Sequence, residues 1–162
     1  MRVEPNGLGE LMDCLKAGMK EANKAVLKSN MQLLGSLAEA VGAPIKTYLK
    51  KCFEPMIFNL SDKQSLVRND TLEAINKWAE AIGTEPVVQL LCVQMETENP
   101  ELRDEGFKWI LAHKEGIKGA DHSVMVKPLM SCLTDKVSKI RSFAEEVIVE
   151  VMAFTGFEPF SK

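Results

Sequence analysis

What most constrains the fold of this chain is that it repeats itself. Cys14, Cys52, Cys92 and Cys132 recur about every 40 residues, each inside a short apolar helical pattern such as Leu11-Met12-Asp13-Cys14-Leu15 or Leu129-Met130-Ser131-Cys132-Leu133. A second signal follows each of these helices. Asp62-Lys63-Gln64-Ser65-Leu66-Val67-Arg68 and Asp135-Lys136-Val137-Ser138-Lys139-Ile140-Arg141 share one pattern: a polar turn, an apolar residue, then a base. Thr97-Glu98-Asn99-Pro100-Glu101-Leu102-Arg103 is a variant. The segment from Glu21 to Lys28 is weaker, with Lys28 where the others have arginine.

The helices after these turns are amphipathic. Val67, Leu72, Ile75, Trp78, Ala79 and Ile82 recur at threes and fours, and so do Ile140, Phe143, Ala144, Val147, Ile148, Val151 and Phe154. Gly42, Gly83 and Gly156 follow as helix stops. Pro44, Pro86 and Pro128 are expected at the starts or early turns of the next helices. No window alternates apolar and polar residues as a strand would. Two helices per period of about 40 residues is the pattern of HEAT or armadillo repeats. The expected fold is therefore all-α: an α-solenoid of HEAT repeats, about four antiparallel helix pairs at 8–42, 44–83, 86–116 and 121–156. Residues 1–162 form a single domain in this reading, with 114–120 as its clearest long inter-repeat loop. One helical hairpin cannot bury its apolar face alone, so neighbouring pairs must stack.

Composition agrees. Hydrophobic residues make up 46% and charged residues 27%, with 6% aromatics, which suits a helical globular chain. A formal charge of −3 and a pI near 5.5 speak against a general nucleic-acid binder. No apolar run is long enough to span a bilayer, so no membrane partner is expected, and the stretch from Met1 to Gly7 does not resemble a signal peptide. The cysteines form no C-x-x-C pair and are expected as reduced thiols on buried helix faces.

Catalysis has no positive sign. His113 and His122 lie in no metal-binding pattern, and the nucleophile-elbow and phosphate-loop motifs are missing. One cysteine per repeat lacks ligand-like clustering, so neither metal nor cofactor is expected. Trp78 and Trp109 sit on apolar stripes and are expected in the core. The turns carry the binding candidates: Asn23 and Lys24; Lys63, Gln64, Ser65 and Arg68; Asn99 and Arg103; Lys136, Ser138, Lys139 and Arg141. Together they predict one basic edge on an acidic body, suited to an acidic protein partner. For Arg68, Arg103 and Arg141 two roles stay open, contact with a partner or pairing with Asp62, Glu98 or Asp135 to hold the stack.

The residues from Val67 to Glu80, V-R-N-D-T-L-E-A-I-N-K-W-A-E, resemble a TOG domain, as do Glu98 to Arg103 and Leu129 to Asp135. Pro5 to Leu11 and Asn23-Lys24 fit the same pattern. The resemblance is to the fourth TOG domain of the microtubule polymerases of the ch-TOG and Mini spindles family. It implies a module whose turns bind αβ-tubulin and microtubules. Such modules act with neighbouring TOG domains of the same protein in the cytoplasm and cytoskeleton, at plus ends, spindle poles and centrosomes during mitosis. It also implies a fragment holding the second to fifth of six repeats, without the first repeat's turn tryptophan. Apolar faces at the ends of such a fragment predict limited stability or end-to-end association. The alternative is a HEAT scaffold of the transport-receptor or phosphatase type, binding another acidic or helical partner.

Overall fold

In the computed structural model, which describes residues 7–160, every regular element is helical. Pro5 and Asn6, and the leader reading of the first residues, lie outside the described residues. The chain divides into two compact units, 1–83 and 84–162.

In the first unit, α1 (Leu8–Gly18) leads through a short turn into α2 (Lys24–Val41). A 3-10 turn (Ala43–Tyr48), α3 (Leu49–Ile57), a second 3-10 turn (Phe58–Ser61) and α4 (Ser65–Ile82) follow. α2 ends where Gly42 takes φ 69° and α4 where Gly83 takes φ 93°, left-handed values that other residues adopt only with strain. The interface between α2 and α4 organises this unit. Leu27, Met31, Leu34 and Ala38 on α2 are buried, as are Val67, Ala74, Ile75 and Trp78 on α4. Gly35 makes the close crossing possible: a Cβ there would stand 3.3 Å from the Cα of Ala74 and 2.9 Å from Cδ of Lys77. Trp78 is fully buried, and its indole N–H donates to the Leu34 carbonyl at 3.2 Å, so its one polar atom is satisfied.

The second unit runs α5 (Thr84–Gln94), α6 (Pro100–Ala112), α7 (Glu115–Gly119), α8 (His122–Cys132) and α9 (Ser138–Thr155). Its core joins Val88, Leu91 and Met95 with Leu102, Phe107 and Ile110, and with Met125, Leu129, Ala144, Val147 and Val151. Trp109 is buried and stacks on His113, with ring centroids 3.9 Å apart. The expected loop at 114–120 is largely the short helix α7. Its Gly116 is buried because a Cβ would come within 2.9 Å of Thr84 and Val88, so this glycine permits packing rather than flexibility.

Three further expectations change. Pro128 lies in the second half of α8, not in its first turn. Cys14 is exposed, whereas Cys52, Cys92 and Cys132 are buried. The even cysteine spacing also does not mark equivalent positions. Pro55, Asp62, Lys63 and Arg68 match Pro128, Asp135, Lys136 and Arg141 at one constant offset, which sets Cys132 against Asn59 rather than Cys52. The bonds agree. Asn59 Nδ2 donates to the Met19 carbonyl (3.3 Å), and Cys132 Sγ lies 3.8 Å from the Met95 carbonyl. Each closes the end of the preceding first helix.

Replacing Trp78 by alanine removes the largest fully buried side chain of the first unit. We expect a loss of about 3–5 kcal/mol, read as a lower urea midpoint by circular dichroism.

Candidate functional site: two aspartate turns

Each unit brings two of the candidate turns side by side. In the first unit these are the α1–α2 turn and the turn before α4; in the second, the α5–α6 turn and the turn before α9. Asn23 caps α2 by accepting from the Ala25 amide (3.0 Å), and Asn99 caps α6 from the Leu102 amide (3.1 Å), with Pro100 at the first helical position. These two asparagines therefore shape the backbone.

The aspartate turns share one geometry. Asp62 Oδ1 accepts from the Gln64 amide at 2.9 Å, and Asp135 Oδ1 accepts from the Val137 amide at 2.8 Å. The other carboxylate oxygen of each takes a cation from the preceding turn: Lys24 in the first unit, Arg103 in the second. The arginine closing the motif binds the backbone of its own turn. Arg68 Nη1 donates to the carbonyls of Asp62 (2.6 Å) and Lys63 (3.2 Å), and Arg141 Nη1 to those of Asp135 (2.7 Å) and Lys136 (3.3 Å). The polar turn and the base after the apolar residue thus form one device, which immobilises the lysine's backbone and leaves its side chain outside. Lys28 makes no such bond among the described residues.

Placed on this frame, the candidates separate. Lys63, Gln64, Ser65, Lys136 and Ser138 are exposed. Among the described residues Lys63 and Lys136 have no ion-pair partner. Lys139 is exposed but engaged, 2.8 Å from Asp104 and over the ring of Phe143. Lys24, Arg68 and Arg141 are partly buried and engaged within the fold. Arg103 is buried, with its Nε donating to the Met95 carbonyl (2.9 Å) and its Nη1 to Asp135. For all three arginines the geometry is that of the structural role. Arg103 pairs with the aspartate of the next turn and Arg68 with main-chain oxygens, while Glu98 pairs with none of them.

No family model matches the chain. Protein MOR1 of rice (Oryza sativa subsp. japonica) is 26% identical over 164 residues, covering 99% of this chain and 8% of MOR1. Protein mini spindles of Drosophila melanogaster is 22% identical over 167 residues, again 99% of this chain and 8% of the relative. A solved structure from Crescerin, described as using a TOG domain array to regulate microtubules in the primary cilium, superposes with a TM-score of 0.74. It covers 98% of this chain and 68% of that one at 16% identity, which establishes the shared helical-repeat fold.

Along nearly its whole length the chain is similar to MOR1 and Mini spindles, and it has the fold of a TOG domain. It spans only a small part of the curated relatives' length.

Charge differs between the turns of the two units. Around the first unit's turns stand Lys20, Lys24, Lys63 and Arg68 against Glu21 and Asp62. Around the second unit's turns Arg103, Lys127, Lys136, Lys139 and Arg141 face Glu96, Glu98, Glu101, Asp104 and Asp135. The turns of the first unit carry an excess of basic side chains, whereas in the second unit basic and acidic side chains balance. Sequence reasoning also missed the apolar residues at the tips: Phe58, Leu66 and Val137 are exposed. Their signal was there, since Leu66 and Val137 fall off the buried stripes of α4 and α9.

The two aspartates set an acid limit on stability. Burial raises the carboxyl pKa of Asp62, but the Lys24 and Gln64 hydrogen bonds and the charges of Lys24 and Arg68 outweigh it, and the net shift is downward. For Asp135 burial is likewise outweighed, first by the Val137 amide and then by Arg103. A carboxylate with a depressed folded pKa contributes stability that is full above its unfolded value, about 4, and is lost as pH falls through the folded value. The urea midpoint should therefore hold steady above about pH 5 and drop below about pH 4. At pH 7, Asp135→Ala, which strands the buried Arg103 charge, should cost about 3 kcal/mol or more. Asp62→Ala should cost about 1, because Lys24 reaches water.

Proposed function

We propose that this TOG domain is a non-enzymatic module that binds αβ-tubulin through its intra-repeat turns. The observation that carries the reading is the pair of aspartate turns, each rigidly presenting a lysine, Lys63 or Lys136, that has no partner within the described residues. Charge held on a fixed backbone loses little conformational freedom on docking and steers an acidic partner toward it. Relatives bear on the same point: Crescerin's TOG array regulates microtubules, and curated relatives include a protein named mini spindles and a centrosomal protein of Dictyostelium discoideum.

In this reading the domain is one of several in a longer microtubule polymerase. It works with neighbouring TOG domains at plus ends, spindle poles and centrosomes, and Lys63, Gln64, Ser65, Lys136, Ser138 and Lys139 offer the exposed contacts. The buried and engaged arginines hold the turns in shape rather than meeting tubulin first.

Sedimentation of free αβ-tubulin with the domain tests this directly. Lys63→Ala/Lys136→Ala should weaken binding about tenfold at low salt, and the gap should narrow as salt screens the charges. Tubulin that sediments independently of the wild-type domain at high micromolar concentration would reject the reading.

A further inference from the structure

The two units use the same turn scaffold to display different chemistry. At the constant offset that matches Asp62 to Asp135, Phe58 stands opposite Ser131, Leu66 opposite Lys139, and Gln64 opposite Val137. In the first unit Phe58 is 45% exposed and Leu66 62% exposed, before and after the Lys63 tip in the chain. An open depression of about 450 Å³ lies there, lined by Lys24, Phe58, Ser61, Asp62, Lys63 and Gln64. The corresponding depression of the second unit, about 350 Å³, has Glu96, Glu98, Ser131 and Asp135 in its wall beside Lys136 and Val137.

The first unit's spot is also stiff. Ser61 Oγ donates to the Phe58 carbonyl at 2.8 Å, the Asp62 amide to the Asn59 carbonyl at 3.2 Å, and Arg68 grips the next two carbonyls. Asn59, adjacent to Phe58, is itself buried and bonded to the carbonyls of Pro55 and Met19. An exposed aromatic ring lining the depression with a lysine unpaired among the described residues, and an exposed leucine on the first turn of the next helix, have the composition of a binding hot spot: apolar anchors with a charge that selects the partner. The second unit has Ser131 where the first has the ring, and its wall holds Glu98 beside a Glu96 paired with Lys127 and an Asp135 paired with Arg103, so an acidic partner gains less there.

We propose that Phe58 and Leu66, with Lys63, form the affinity-determining anchor of the domain. Its occupant is an acidic protein surface that offers an apolar side chain to the depression beside Lys63. The second unit's turns add little to affinity. This rests on the tubulin reading above and specifies which half of the edge sustains it.

Titrating αβ-tubulin against the wild-type domain, Phe58→Ser, Leu66→Ser and Val137→Ser, at low and moderate salt, separates the cases. Phe58→Ser and Leu66→Ser should each weaken binding about tenfold. Losing an apolar contact should leave the salt dependence unchanged, unlike Lys63→Ala, which should flatten it. Val137→Ser should bind as wild type does. Far-UV circular dichroism and melting establish that each variant is folded, and the more exposed Leu66 keeps the test decisive should Phe58→Ser unfold. Wild-type binding with equal losses in both units, or loss only in Val137→Ser, overturns the anchor while leaving tubulin binding intact. Failure of the wild-type domain to bind overturns both.

Discussion

Each unit depends on one aspartate that bonds in several directions at once. Asp62 and Asp135 close their own turns by accepting a backbone amide, and they take a cation from the turn before. Their carbonyls, with those of the following lysines, are held by the arginine that follows the first buried residue of the next helix. The local turn and the packing of one repeat on the next are thus fixed by the same residue. A turn so held can place side chains outside the fold without the entropy that a free loop would lose on binding.

The cation from the preceding turn sets how much each aspartate matters. Lys24 reaches solvent, so its pairing with Asp62 is a weak surface contact. Arg103 is buried with Asp135, and there the pair must be kept whole because either charge alone would be stranded. The same arrangement therefore serves two ends. The second unit spends its cation internally and shows mixed charge at its edge, whereas the first keeps an open basic tip flanked by apolar residues.

Much of the helical framework was legible in the sequence. The stripes of α2, α4 and α9 and the stops at Gly42, Gly83 and Gly156 depend on local periodicity and on a left-handed backbone that glycine accepts. What escaped were features decided by neighbours distant in sequence. Gly116 and Gly119 looked like a loop, yet Gly116 packs against Thr84 and Val88 within α7. Cysteine spacing suggested a register that the proline and aspartate positions correct. At the site, the pattern of an apolar residue followed by a base could not distinguish Arg68, which grips its own turn, from Arg103, which is buried on Asp135. Glu96, which pairs with Lys127 across 31 residues of chain, draws notice only once α5 and α8 are packed together.

The most direct measurement is amide hydrogen exchange of the domain, free and saturated with αβ-tubulin, resolved by mass spectrometry. If the turns are the docking edge and the first unit holds its anchor, exchange should slow across 58–68 and far less across 131–141. Protection spread equally over both segments would contradict the one-sided anchor. Protection confined to residues outside the turns would contradict the docking edge itself.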